Sequence, residues 1–227
     1  MKRMACFLIV PMLVFLVSCT TDSDDGDDGW DAAKVCPETG TNSYGMPNRG
    51  TFTDERDGQV YKYTTIGKQV WMAQNLNYDV ENDRCYYEED SCRTMGRVYY
   101  PTARPCPAGW HVPTEEEWHK LFDLFEDSNH ASVSLRSNYS WAVLNPEDNP
   151  NGTDDCGFSV LPARKEGDVF SIDGGKKMQG FESYFLTSTF ISDCYVKTLT
   201  FASYGRGVMW DESPCVYAYL YIRCVKG

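Results

Sequence analysis

The segment CPAGWHVPTEEEW, residues 106–118, carries a thiol at Cys106, an imidazole at His111 and carboxylates at Glu115, Glu116 and Glu117. A thiol, a base and an acid are the parts of a nucleophilic site, where the base takes the thiol proton and a third group orients the base. The same residues also have a structural reading. Thr114 followed three positions later by Glu117 makes a capping box. Carboxylates in a first helical turn face the positive end of the helix dipole. The choice turns on the state of Cys106. The chain has ten cysteines, of which Cys6 and Cys19 belong to the N-terminal segment. The other eight are Cys36, Cys85, Cys92, Cys106, Cys156, Cys194, Cys215 and Cys224. They include no CxxC pair and no His spacing suited to zinc. An even set in an exported chain reads as a disulfide framework whose pairing the sequence does not choose. Cys106 is therefore expected to be oxidised, His111 to be packed or hydrogen-bonded, and the chain not to be an enzyme. No catalytic residue is assigned.

Export is read from the N-terminus. Lys2 and Arg3 precede CFLIVPMLVFLV, which is too short to span a bilayer comfortably and is interrupted by Pro11. The stretch ends in LVSC, residues 16–19, which resembles a bacterial lipobox; that resemblance implies removal of residues 1–18 and lipid (palmitate-type acyl chains) on Cys19. Two or more acyl chains hold a protein firmly in a membrane. Residues 19–35 contain TTDSDDGDDGWD, which has no apolar face to bury and reads as an acidic disordered tether. It lacks the spacing and closing Glu of an EF-hand. An acidic run behind a lipidated cysteine resembles surface-export signals, so the expected location is the outer membrane, at the cell surface. The net charge of −12 argues against nucleic acid and anionic lipid surfaces as partners.

Residues 36–227 fit one domain. Val60, Tyr61, Tyr63, Thr65 and Ile66, then Gly67-Lys68, then Val70 and Trp71 predict a β-hairpin. CYYEEDSC, residues 85–92, predicts a local disulfide loop, and GRVYY at 96–100 a short strand. Residues 113–127 predict the main helix, with Trp118, Leu121, Phe122 and Phe125 on one face. GFSVL, GDVFSI, SYFLTSTFI, YVKTLTFASY, RGVMW and VYAYLYIRCV are β-like. The expected class is α+β: one main helix with small antiparallel sheets, braced by disulfides.

The C-terminal order Cys194, Trp210-Asp211-Glu212, Cys215, Cys224 resembles the end of a C-type-lectin-like domain, and CPAGWHVPTEEEW its early segment. That resemblance implies the pairs Cys106–Cys224 and Cys194–Cys215. More closely, GTFTDERDGQVYKYTTIGKQVWMAQNLNY, CYYEEDSC, CPAGWHVPTEEEW, GFSVLPAR and RCVKG in that order resemble the Fibrobacter succinogenes major paralogous domain, over about residues 50–227. The family implies a secreted or surface lipoprotein of C-type-lectin-like fold with no established activity, and brings no catalytic residues. Pro101 and Pro105 depart from its pattern and shorten or remove a first helix. Cys36 lies outside the matching blocks, which leaves Cys36 with Cys156, and Cys85 with Cys92.

The function expected is a non-catalytic binding module, with polysaccharide or a surface protein as partner; the rival is a structural or assembly component of the cell surface. Tyr139, Trp141, Tyr184, Tyr195, Tyr204 and Trp210 could stack on sugars, and Tyr184, Tyr195, Tyr204 and Trp210 are the candidate ligand residues. Asp211 and Glu212 occupy the positions where a lectin would hold calcium, but the loop before Cys194 lacks the matching ligand pattern. No cofactor is expected, calcium being the one candidate metal. Formylglycine-generating enzymes share the wider fold and use a reactive cysteine pair, but here every mature cysteine has a structural partner to hand.

Overall fold

Strand alternation builds the first sheet. A computed structural model of the chain describes residues 29–85, 89–142, 147, 149–162, 180–203 and 207–227. The signal, Cys19, most of the tether, Tyr204 and the strand expected at GDVFSI lie outside the described residues. Strand β1 (Arg49–Thr53) pairs antiparallel with β2 (Val60–Ile66), which turns at Gly67-Lys68 into β3 (Gln69–Met72). In β2 the exposed Val60 and Lys62 alternate with the buried Tyr61 and Tyr63, as a half-buried strand requires. Gly67 has φ +56, and a Cβ there would lie 2.6 Å from Leu124 Cδ1, so both the turn and the packing demand glycine.

Strand β4 (Val98–Tyr99) and β5 (Trp110–His111) come next, then β6 (Glu182–Ser192), β7 (Tyr195–Ala202), β8 (Val208–Pro214), β9 (Leu220–Tyr221) and β10 (Val225–Lys226). The first sheet runs β1-β2-β3-β10-β5 and the second β4-β9-β6-β7-β8. All pairs are antiparallel except β6 with β9. The chain end therefore serves both sheets, because β9 enters the second and β10 the first. The expected continuous strand at VYAYLYIRCV is broken accordingly: a 3₁₀ turn (Cys215–Tyr217) precedes β9, and the chain crosses between sheets before β10. GFSVL forms no strand, only an isolated bridge between Val160 and Arg136.

The helices are α1 (Ala32–Val35), α2 (Glu89–Met95), α3 (Glu115–Phe122) and α4 (Ser128–Leu135). Helix α3 starts as the sequence predicts. Thr114 Oγ accepts the Glu117 N–H at 3.1 Å, and Glu117 Oε2 accepts the Thr114 N–H at 2.8 Å. It ends five residues before the expected Asp127, which instead caps α4 by accepting the His130 N–H at 2.8 Å. The predicted helix is thus cut short, and a second helix that the sequence did not suggest follows it, with Phe125 turned into the core between them. Helix α2 occupies part of the expected disulfide loop. The Pro101–Pro105 segment is turn and coil, because proline resists a continuing helix.

Trp118 of α3 is 0% exposed and packs on Trp71, Phe122, Phe158, Phe185 and Phe201, with ring centroids 4.6–6.2 Å away. This cluster joins the two sheets. Disulfides link Cys36–Cys156, Cys85–Cys92 and Cys106–Cys224. The expected Cys194–Cys215 bond is not formed, and both are free thiols. The Cys215 N–H donates to the Cys194 carbonyl at 2.8 Å. However, Cys194 is exposed in the β6–β7 turn while Cys215 is buried, so adjacent backbones carry thiols into different environments. Burial also pushes the Cys215 thiol pKa up.

Candidate binding cleft

The opening segment does not assemble a nucleophilic site. Cys106 is bonded to Cys224, and His111 Nε2 lies 2.7 Å from Glu117 Oε1, the carboxylate that also closes the capping box. The imidazole and the acid are thus joined to each other and to a helix end, with no thiol between them.

The aromatic and acidic candidates are also dispersed. Tyr184 is half-buried against the core and donates its hydroxyl to Glu182. Tyr195 is exposed at the start of β7, opposite Ser192 and Pro214. Trp210 is half-buried and stacks on His119 with centroids 4.6 Å apart. Trp141 is buried, its indole N–H donating to Ser137 Oγ at 3.1 Å. Asp211 and Glu212 are consecutive on β8, so their side chains leave opposite faces of the sheet. Glu212 pairs with Lys197 at 3.0 Å, directly across on β7, while Asp211 faces Thr198 in register. Among the described residues no group of three or more His, Cys, Asp or Glu side chains could hold a metal ion.

A different set of residues converges. A cleft of about 270 Å³ opens between β2, the segment that follows β3, and the end of α2. That is close to the lower end of small-ligand pockets, roughly 300 Å³. Its wall is a chain of amides. After β3 the Gln74 side chain accepts the Lys62 N–H at 2.9 Å, extending the strand edge with a side chain. Gln59 and Asn77 bond reciprocally: Asn77 Nδ2 donates to Gln59 Oε1 and Gln59 Nε2 to the Asn77 carbonyl, both at 3.0 Å. The Asn77 N–H donates to Tyr61 Oη at 3.0 Å, which fixes the phenol at the cleft. Asn77 Oδ1 is buried with no hydrogen-bond partner among the described residues.

The far wall is set by close backbone approach. Asn75 Nδ2 donates to the Met95 carbonyl at 2.8 Å, and Gly96, at φ +79, would put a Cβ 2.7 Å from Asn75 Cβ. Only glycine lets the end of α2 sit there. Cys92, tied to Cys85, holds the last turn of α2 in place. Tyr139 stands at the mouth, 54% exposed. Arg223 forms the floor and is 1% exposed. Its Nε donates to Asn75 Oδ1 at 3.1 Å, Nη2 to the Ser159 carbonyl at 2.9 Å and Nη1 to the Phe158 carbonyl. The guanidinium lies over the Phe158 ring, 4.5 Å from its centroid.

Of the aromatics singled out in the sequence, Tyr139 lines the cleft; Tyr184, Tyr195 and Trp210 do not. Sequence reasoning missed Gln59, Asn75, Asn77 and Arg223. One signal was available: Arg223 is the single charge in the apolar run VYAYLYIRCV, and a charge at a core position is rarely idle.

No curated protein and no solved structure matches the chain. A family model, described as the Fibrobacter succinogenes major domain, matches residues 64–226, well over half of the chain and including every strand from β3 onward. The chain belongs to the Fibrobacter succinogenes major domain family.

Proposed function

We propose that the chain is a lipoprotein held at the outer face of the outer membrane by lipid on Cys19, carrying over residues 36–227 a C-type-lectin-like, non-catalytic binding module for polysaccharide. The cleft carries the reading. Planar amides offering both donors and acceptors, beside the exposed Tyr139 with a ring face to present, are groups suited to sugar hydroxyls and sugar faces. The lipobox-like LVSC and the acidic stretch behind it support the anchored location. Among the described residues no helix is long and apolar enough to cross a membrane.

A second reading has its own observation. Phe190, Ile191, Tyr195 and Val216 are exposed hydrophobics on the β6–β7 tip and the segment after β8. An apolar surface of this kind suits an assembly component that docks on another surface protein.

Retention of the full chain in detergent on a panel of insoluble and soluble polysaccharides, with and without calcium chelation, separates the readings. The expected result is retention on a glycan that survives chelation and is lost in a Gln59→Ala, Asn77→Ala variant. Retention abolished by chelation would restore Asp211 and Glu212 as calcium ligands. No retention on any glycan would favour the assembly reading, to be followed by cross-linking on intact cells.

A further inference from the structure

We propose that the cleft takes an acidic saccharide, with the carboxylate of a uronic-acid sugar held by Lys62, Arg93 and Arg223 and its hydroxyls by the amide wall. This rests on the binding-module reading and names its ligand class.

Charge is the first argument. The chain has 33 acidic and 21 basic residues, yet among the described residues no Asp or Glu lines the cleft, while Lys62, Arg93 and Arg223 all do. The charges that the described residues bring to its lining are thus all positive, in an acidic molecule. Clefts lined by one sign of charge with low-dielectric walls focus the field and gather the opposite charge.

The floor is the second argument. Arg223 is almost wholly buried, and the partners described for it are two carbonyls and one amide oxygen, all neutral. Among the described residues no carboxylate comes within ion-pair distance of it. The carboxylate acting on it through space is Asp154, which is itself hydrogen-bonded to Ser159: Oδ1 accepts the Ser159 N–H at 2.7 Å and Oδ2 accepts its hydroxyl at 2.5 Å. Burial lowers the Arg223 pKa to about 9, which leaves it charged at neutral pH. A buried cation with no direct ion pair is costly, and an anion entering the cleft would offset that cost. Its Nη atoms each keep a second N–H beyond the bonds described, and a planar guanidinium is well matched to a carboxylate.

The amide wall argues against an anion that only accepts hydrogen bonds. Asn77 Oδ1 is a buried acceptor with no partner among the described residues. Sulfate only accepts hydrogen bonds and cannot satisfy it. A ligand that answers both the cations and this acceptor must carry a negative group and a hydroxyl donor together, as a uronic acid does. Tyr139 at the mouth offers a ring face for the sugar.

Calorimetric titration of the full chain in detergent tests this with tetramers of galacturonate, mannuronate and glucuronate, each against its own methyl ester. The ester keeps size and hydroxyls and removes the charge. At least one acid tetramer should bind, at least tenfold more tightly than its ester, and more weakly as salt rises. The Lys62→Gln, Arg93→Gln variant alters two exposed side chains, should melt as the parent does, and should bind about tenfold more weakly. Equal binding of acid and ester would overturn the proposal while leaving the polysaccharide reading intact. Unchanged binding in the double variant would overturn it as well, because the acid would then bind elsewhere. If a neutral glycan is retained and no uronate is, the ligand class falls and the module reading stands; if nothing binds, both fall.

Discussion

Tyr61 connects the first sheet to the cleft, and its phenol makes a sharp test of how well that region is sealed. It is 3% exposed, and its oxygen accepts the Asn77 N–H at 3.0 Å. Burial pushes its pKa up to about 12 from an ordinary 10, with the Asn77 N–H working the other way and the Asp57 and Asp54 charges adding to the rise. For an acid whose folded pKa exceeds its unfolded one, the unfolded chain loses the proton first. The folded state then binds more protons between pH 10 and 12, so stability falls as pH rises through that window. At pH 11 the loss from this one group is about 1.4 kcal/mol. Tyr61→Phe removes the titration. It also removes the acceptor for the Asn77 N–H, which should cost roughly 1–3 kcal/mol at pH 7. The variant should therefore be the less stable protein at pH 7, and its deficit should shrink by about 1.4 kcal/mol at pH 11. Urea titrations followed by tryptophan fluorescence, with the thiols alkylated beforehand to prevent disulfide exchange, measure both values. Taking the difference between the two proteins cancels Tyr99, whose pKa burial also raises, and the buried arginines. A deficit that stays constant from pH 7 to pH 11 would mean that the Tyr61 phenol titrates normally, and the sealed hairpin–cleft junction described above would be wrong.

Three further outcomes follow from the packing. Trp118→Ala should cost about 3–5 kcal/mol in urea unfolding, since the ring is fully buried among Trp71, Phe158, Phe185 and Phe201; a loss under 1 kcal/mol would show that the sheets are held by something else. Thr114→Ala should cost about 1 kcal/mol, the value of an N-cap, and Thr114→Ser should recover most of it in thermal melts. Alkylation of the folded chain with peptide mapping should label Cys194 quickly and Cys215 only on unfolding; protection of both until reduction would mean that they are disulfide-bonded.

Much of the fold was legible because it depends on short-range chemistry. The alternation in VYKYTTI and the Gly67 turn specified the hairpin, and Thr114 with Glu117 specified where α3 begins. The end of α3 was not legible. The apolar period runs on through Phe125, and only packing decides that Phe125 leaves the helix line to enter the core while Asp127 starts a new helix. The break in VYAYLYIRCV was hidden for a similar reason, since both sheets compete for one apolar run: the second sheet takes Leu220 and Tyr221, and the first takes Val225.

The site divides in the same way. The residues themselves point to a mixed α+β, cysteine-braced member of the Fibrobacter succinogenes major domain family, because composition, caps, turns and motif order are local properties of the chain. Stacking candidates such as Trp210 and Tyr184 also stood out as residue types, but residue type does not say which face they take, and packing half-buries them, Trp210 on His119 of α3 and Tyr184 bonded to Glu182. The cleft is a purely tertiary object. Gln59, Asn77, Arg93, Tyr139 and Arg223 are separated by up to 164 positions in sequence (59 to 223), and no pattern at that range links them. Only the insertion of the last strand between β3 and β5 carries Arg223 under Asn75, turning one charge in an apolar run into the floor of a binding cleft.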